Sequence, residues 1–448
     1  MKTQTLRRFK IFAGLVVAAL VLHTALLVAS GIALRNARKE LRAAGRPMTP
    51  EEIIPKKVPS SENAAPLYES AFALLKSESV DGKTLEQSVA DTAKEYAAQP
   101  DLNATRAAFE NALVHPTFSQ ALELVEQATT RTQCNFNRQY DLGASLIVPH
   151  LNEMLAIGHI LNAKALLLAH RGEPQQAYAT LATALRMADA LRTEPILISA
   201  LIRNAQYKMA LETLPALSAI APPDDETAAH LSALLDAVDP VAPFVRALDG
   251  ERSLYGEWIY NCFADGNIHD LLGLEQGGAW AGRFAKAVLG YRPSLQLDHT
   301  FFLRNYARFA DNASRPFWEI SPPPRMNPED EFPWYATLSR FFTINFNSSF
   351  LGIVHMQAQL RVSRTGLALI RHKAARGSYP ATLAGIDPRF LDELPIDPFT
   401  GQPLAYRPED DGFVLYSLGE NLADDGGTEK SKNARQAKPF DIVWRMAN

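Results

Sequence analysis

Between Ile11 and Leu34 the chain reads IFAGLVVAALVLHTALLVASGIAL, without one charged side chain. As a helix at about 1.5 Å per residue it is roughly 36 Å long, enough to cross a hydrocarbon core of about 30 Å. A cleaved signal peptide is the rival reading, because Val28-Ala29-Ser30 offers a peptidase small residues. Signal peptides, however, usually carry an apolar run of about 7–15 residues, and this one is longer. The stretch is therefore read as an uncleaved transmembrane anchor. His23, near its middle, is read as a tolerated neutral imidazole, since a proton relay needs partners that a single span does not offer.

The residues beyond the anchor are enough for two domains with a sizeable core. Hydrophobic residues make up 47% and charged residues 21%, as in ordinary folded proteins. A formal net charge of −4 gives no concentrated basic face, which argues against nucleic acid as a partner. Cys134 and Cys262 are the only cysteines, and they are read as two separate buried thiols.

Proline clusters mark the joints. Residues 1–35 form a short tail and the anchor. Residues 36–60 read as a linker: NARKELRAAG extends the membrane helix, and RPMTPEEIIPKKVPS is too rich in proline to pack regularly. Residues 61–350 read as an α-helical domain, begun by a cap at Ser60-Ser61-Glu62-Asn63 and a helix whose face is Leu67, Phe72, Leu74 and Leu75. Within it, Leu161–Ala188 is a helix, a turn at Arg171-Gly172-Glu173-Pro174 and a second helix with Ala177, Leu181 and Ala184 on one face. That spacing resembles a tetratricopeptide hairpin, although about three such units are needed for a solenoid. An ordinary helical bundle with one hairpin of this shape fits as well. Residues 240–320 are rich in aromatics, among them Trp258, Tyr260, Trp280, Phe302 and Tyr306, and read as core or groove.

Residues 351–448 change period. A helix with Leu360, Leu367, Leu369 and Ile370 near one face is closed by Arg376-Gly377 and Pro380. A turn at Asp397-Pro398-Phe399-Thr400-Gly401 follows. Leu404–Arg407 and Phe413–Ser417 then alternate like half-buried strands, and Ile442-Val443-Trp444 makes a third. The helix is expected to lay Leu367 and Ile370 on Leu404, Tyr406, Val414 and Tyr416, with strands only after Pro380. The fold class is thus mainly α, with an N-terminal membrane helix and a small α+β tail holding a three-stranded antiparallel sheet.

This order of parts resembles the C-terminal body of the major pseudopilin of the type II secretion pathway. The residues that carry it are Arg376-Gly-Ser-Tyr-Pro380, Leu394-Pro-Ile-Asp-Pro398, Tyr416-Ser-Leu-Gly419, Gly426-Gly427 and Asp441-Ile442. The whole chain also resembles a group of uncharacterised bacterial membrane-anchored proteins with this tail and an Ala/Leu-rich helical middle. Two departures separate it from pilus subunits. No Gly-Phe-Thr-Leu-Ile-Glu-type processing site precedes the apolar span, and the long helical region divides that span from the pseudopilin-like helix.

The resemblance implies a calcium ion in the loop before the last strand. Asn421, Asp424, Asp425 and Asp441 are the side chains that would supply oxygens to such a hard cation. The sequence departs from the family in inserting Glu429–Lys438 there and in having Asn421 where a carboxylate is expected. A solvated turn rich in Asn, Asp and Gly is the plainer alternative.

Orientation does not follow from charge, because Lys2, Arg7, Arg8 and Lys10 precede the span while Arg35, Arg38, Lys39, Arg42 and Arg46 follow it. The short leading tail, and the outer face on which the resembled family works, favour a bacterial inner-membrane protein with its bulk in the periplasm. No HExxH, GxSxG, GxxxxGK[ST] or CxxC is present, so no catalytic residue is assigned. The expected role is non-enzymatic: an anchored module that binds other envelope proteins of a secretion or pilus-like system. The alternative is a hydrolase of envelope polymer in the region 240–320, where Glu251, Glu257, Asp265 and Asp270 lie among aromatics.

Overall fold

The computed structural model describes residues 2–80, 82–100, 102–265, 291–320, 332–342, 346–428 and 441–446. Helix α1 (Lys2–Ala43) is one unbroken run of 42 residues. It ends in a Schellman motif: Gly45 takes φ +70, its amide bonds the Arg42 carbonyl, and the Arg46 amide bonds the Leu41 carbonyl. The two halves of α1 differ. Apolar side chains such as Leu20 and Val21 are 60% and 64% exposed, whereas Ala37 and Leu41 are 0% and 4% exposed. The stretch read as a linker therefore carries core residues, because α1 continues into it and Met48 and Ile53 follow its buried face. A short helix, α2 (Pro50–Ile53), completes that stretch.

The helical body is built from α3 (Ala65–Ser77), α4 (Leu85–Ala98), α5 (Asn103–Leu113), α6 (Pro116–Thr129), α7 (His150–His170), α8 (Pro174–Asp189), α9 (Leu197–Ile220) and α10 (Asp225–Asp236). The α7–α8 hairpin forms where the sequence places its turn. Gly172 takes φ +77, the Glu173 amide reaches the Leu168 carbonyl, and Pro174 starts the next helix. Helix α9 packs against both, so three helices close one layer around Leu161, Leu181 and Leu214. Strands do occur before Pro380. Strand β1 (Ser79–Val80) and β2 (Lys83–Thr84) form a minimal hairpin, since Gly82 at φ +78 supplies the turn and Thr84 doubles as the N-cap of α4.

A second core lies beside the buried half of α1. It is made by α11 (Ala242–Gly250), α12 (Glu257–Asp265) and α13 (Arg292–Ala313), with a π-helical turn at Glu251–Gly256 between the first two. Here the aromatic region is core: Phe244, Tyr260, Phe302 and Tyr306 are buried together.

The tail comprises α14 (Thr337–Phe342), α15 (Phe346–Arg376) and strands β3 (Ala405–Glu409), β4 (Gly412–Ser417) and β5 (Ile442–Met446). The strands form one antiparallel sheet in the order β3-β4-β5, with Leu415 opposite Tyr406 on one side and Trp444 on the other. Phe413, Leu415, Trp444 and Met446 join Leu367 and Ile370 in the main core. Val414 and Tyr416 face the opposite way, against Gly427, whose Cβ would stand 2.6 Å from Val414 Cγ1. The expectation placed Val414 and Tyr416 on the helix. The strand was right and its pleat phase was one residue out, which moves every side chain to the other face. Gly366 is needed on α15 because a Cβ there would lie 2.2 Å from the Trp444 ring. The mainly helical fold with a small C-terminal antiparallel sheet is as the sequence indicated.

Candidate functional site

Helices α1 and α13 run parallel along a seam of polar contacts. His23 Nδ1 meets the Tyr291 hydroxyl at 2.9 Å, and the Ser30 hydroxyl donates to Gln296 at 2.7 Å. Further along, Arg304 forks onto Glu40 at 3.0 and 2.9 Å. At the end, Arg46 bonds Asp249 at 3.3 and 3.1 Å and also pairs with Asp311. The fully buried Arg252 bonds the same Asp249 at 3.1 Å. Helix α1, whose first part is long and apolar enough to cross a membrane, is thus built into the body, and His23 has a bonded partner. Beside this lower node lies a groove of about 660 Å³ lined by Arg46, Glu52, Asp239, Arg246, Asp249 and Ser314.

The aromatic region carries a buried polar network. The Tyr260 hydroxyl donates to Asp298 at 2.7 Å, and the Asp298 carboxylate accepts the Leu338 and Ser339 amides at 2.7 and 3.0 Å, so it caps α14. His299 stacks on Tyr260 at 4.1 Å, and its Nε2 lies 3.3 Å from Glu257. Burial would raise the Glu257 carboxyl, but His299 and Arg38, which bonds it at 2.9 Å, together hold it below the usual value. Glu251 is differently placed. It accepts the Leu197 amide at 2.8 Å, and burial pushes its carboxyl up to about 7. The two glutamates are held by separate partners. Asp265 is exposed. Asp270, Trp280 and the Gly277-Gly278 pair lie outside the described residues. Asp298, His299 and Ser339 were not singled out from the sequence, where they form no motif.

A buried trio also occurs at His150, Glu194 and Ser199. Glu194 stands between the other two, bonding His150 Nε2 at 2.8 Å and the Ser199 hydroxyl. A nucleophile relay needs the base next to the hydroxyl, so this order is structural. Cys134 and Cys262 do not form a disulfide; Cys134 is buried as expected, whereas Cys262 is only half-buried, and burial raises the Cys134 thiol far above its ordinary value, which leaves it unreactive.

The acidic loop ties its four residues into local hydrogen bonds but does not gather their side-chain oxygens into a ligand set. Asp424 Oδ1 accepts the Tyr416 hydroxyl and the Gly426 amide, each at 2.8 Å. Asn421 donates to Asp425 at 2.9 Å. Asp441 is 6% exposed; its Oδ2 accepts the Gly427 amide at 2.8 Å, while its Oδ1 is buried without a hydrogen-bond partner. Burial raises the Asp441 carboxyl, with the charges of Asp425 and Asp424 adding to the rise against the pull of backbone amides. Among the described residues, no three His, Cys, Asp or Glu side chains form a group that could hold a metal. The inserted stretch Glu429–Lys438 lies outside the described residues.

No protein-family model, curated protein or solved structure matches the chain.

Proposed function

We propose that this chain is a single-pass bacterial envelope protein with no catalytic role, holding a rigid helical body and pseudopilin-like tail close to the inner membrane to bind other envelope proteins of a secretion or pilus-like system. The observation that supports it is the continuity of α1. An exposed apolar half, of length and composition suited to a bilayer, runs unbroken into a half locked by Arg304–Glu40 and Arg46–Asp249. A flexible tether would let the body wander; this seam fixes its height and azimuth. The test is a C-terminal phosphatase fusion in cells. Full-length protein retained in the membrane with active phosphatase is expected. A soluble product beginning near Gly31 sinks the anchor, and an inactive phosphatase sinks the periplasmic orientation.

Calcium belongs to the same proposal for the tail. What supports it is the buried, orphaned Oδ1 of Asp441; the carboxylates of Asp424 and Asp425 do not converge with it as a ligand set, and Asn421 bonds Asp425 instead. Binding only to the folded form would add about 2.7 kcal/mol at a hundredfold excess over Kd. Full-length protein in detergent should melt higher with calcium than with chelator, and Asp441→Asn should abolish the difference. Equal midpoints in the unaltered protein remove calcium from the account.

A further inference from the structure

The seam between α1 and α13 sets the depth of the body as well as its direction. From Ile11 to Ala29 the side chains of α1 are exposed apart from the half-buried Leu27, and Ser30 is buried against Gln296. That exposed run is roughly 29 Å long at about 1.5 Å per residue, close to the thickness of a hydrocarbon core of about 30 Å. If the run fills the core, its domain-side boundary falls near Ala29. His23 lies six residues earlier, so its level is about 9 Å inside that boundary. Yet His23 is where Tyr291 is bonded, at 2.9 Å, with the two rings 5.4 Å apart.

We infer that the first turn of α13, beginning at Tyr291 and Arg292, is inserted into the phospholipid leaflet on the domain side of the membrane. This rests on the proposal that α1 spans a bilayer. The chemistry at that depth is consistent. A polar imidazole in hydrocarbon is costly unless bonded, and the Tyr291 hydroxyl bonds it. Tyr291 is 41% exposed, presenting an apolar ring face to the acyl chains while its hydroxyl stays bonded to His23. Arg292, also exposed, has a long apolar stem that lets its guanidinium snorkel towards the interface. Pro293 follows at the start of the helix, removing one of the amides that would otherwise be left without a partner in lipid. Glu40 and Arg304, whose charges need water, meet ten residues beyond Ser30, or about 15 Å along the helix axis.

The test uses full-length protein with Cys134→Ser and Cys262→Ser, reconstituted into phosphatidylcholine vesicles. An environment-sensitive fluorophore is attached in turn to Arg292→Cys, to Arg308→Cys on the same helix about 24 Å further along, and to Val17→Cys in the span. Lipids bearing a nitroxide on the acyl chain are the quencher. Strong quenching at positions 17 and 292, with at least a threefold weaker effect at 308, is expected. Quenching at 17 with position 292 no better quenched than 308 overturns the insertion and leaves the anchor standing. No quenching at 17 removes the anchor itself, and the insertion with it.

Discussion

Glu251 was visible in the sequence as an acid among aromatics, and its surroundings give it a role that composition does not reveal. Its carboxylate binds the Leu197 amide, from a residue 54 positions away, and burial raises its carboxyl from 4.5 to about 7. The folded state therefore holds this proton more tightly than the unfolded chain does. The group's contribution is fully present below pH 4.5 and is lost as the pH rises towards 7. A rise of that size corresponds to a loss on the order of 3 kcal/mol across the interval. Glu251→Gln keeps an oxygen for the Leu197 amide and has no proton to lose. In melts of the full-length protein the variant should match the original near pH 4.5 and be the more stable above pH 7. Parallel pH profiles for the two proteins would show that Glu251 is not the group responsible. The sequence offered the residue; it could not offer the long-range partner or the burial that move its proton.

Elements were legible to different degrees, for physical reasons. The uncharged run made α1 certain to be apolar and long, and the absence of proline before Pro47 let it extend to Ala43. The α7–α8 turn and the tail strands followed from local signals carried by Gly172, Pro174 and alternating apolar residues. Pleat phase was not legible, because Phe413, Val414, Leu415 and Tyr416 are all apolar enough for either face, and all are buried. The ionic seam was also hidden, since Arg46, Asp249, Arg252 and Asp311 come from three distant stretches. Its two ends should differ in strength. Glu40 and Arg304 are more than half exposed, so Glu40→Ala should leave the thermal midpoint nearly unchanged. Asp249 compensates two arginines, of which Arg252 is fully buried, so Asp249→Ala should cost about 3–5 kcal/mol. Thermal midpoints in detergent compare them directly. A similar small change for both would mean that the lower node is solvated and does not hold α1 in place.

At the scale of the molecule, the helical body, the tail and the buried half of α1 are joined by shared packing. Leu367, Leu369 and Trp444 of the tail lie in the same buried cluster as Leu161 and Leu181 of the body, and Arg371 of α15 pairs with Asp225 of α10 at 2.7 Å. Division of the sequence at residue 350 followed a real change of periodicity, from helix to alternating strands. Packing crosses that division because α15 begins at Phe346 and lies along α9 and α10. The candidate acidic loop was legible as a set of residues, Asn421, Asp424, Asp425 and Asp441, but the orphaned oxygen of Asp441 depends on burial that only the fold provides. Helix α1 is part of the body and not a leash. This is tested most directly by placing Ser30→Cys and Gln296→Cys together, with Cys134 and Cys262 changed to serine, and treating native membranes with a short bis-maleimide. Mass spectrometry should find the peptides around residues 30 and 296 linked within one chain, in high yield. Both thiols labelled singly, with no linked peptide, would contradict it.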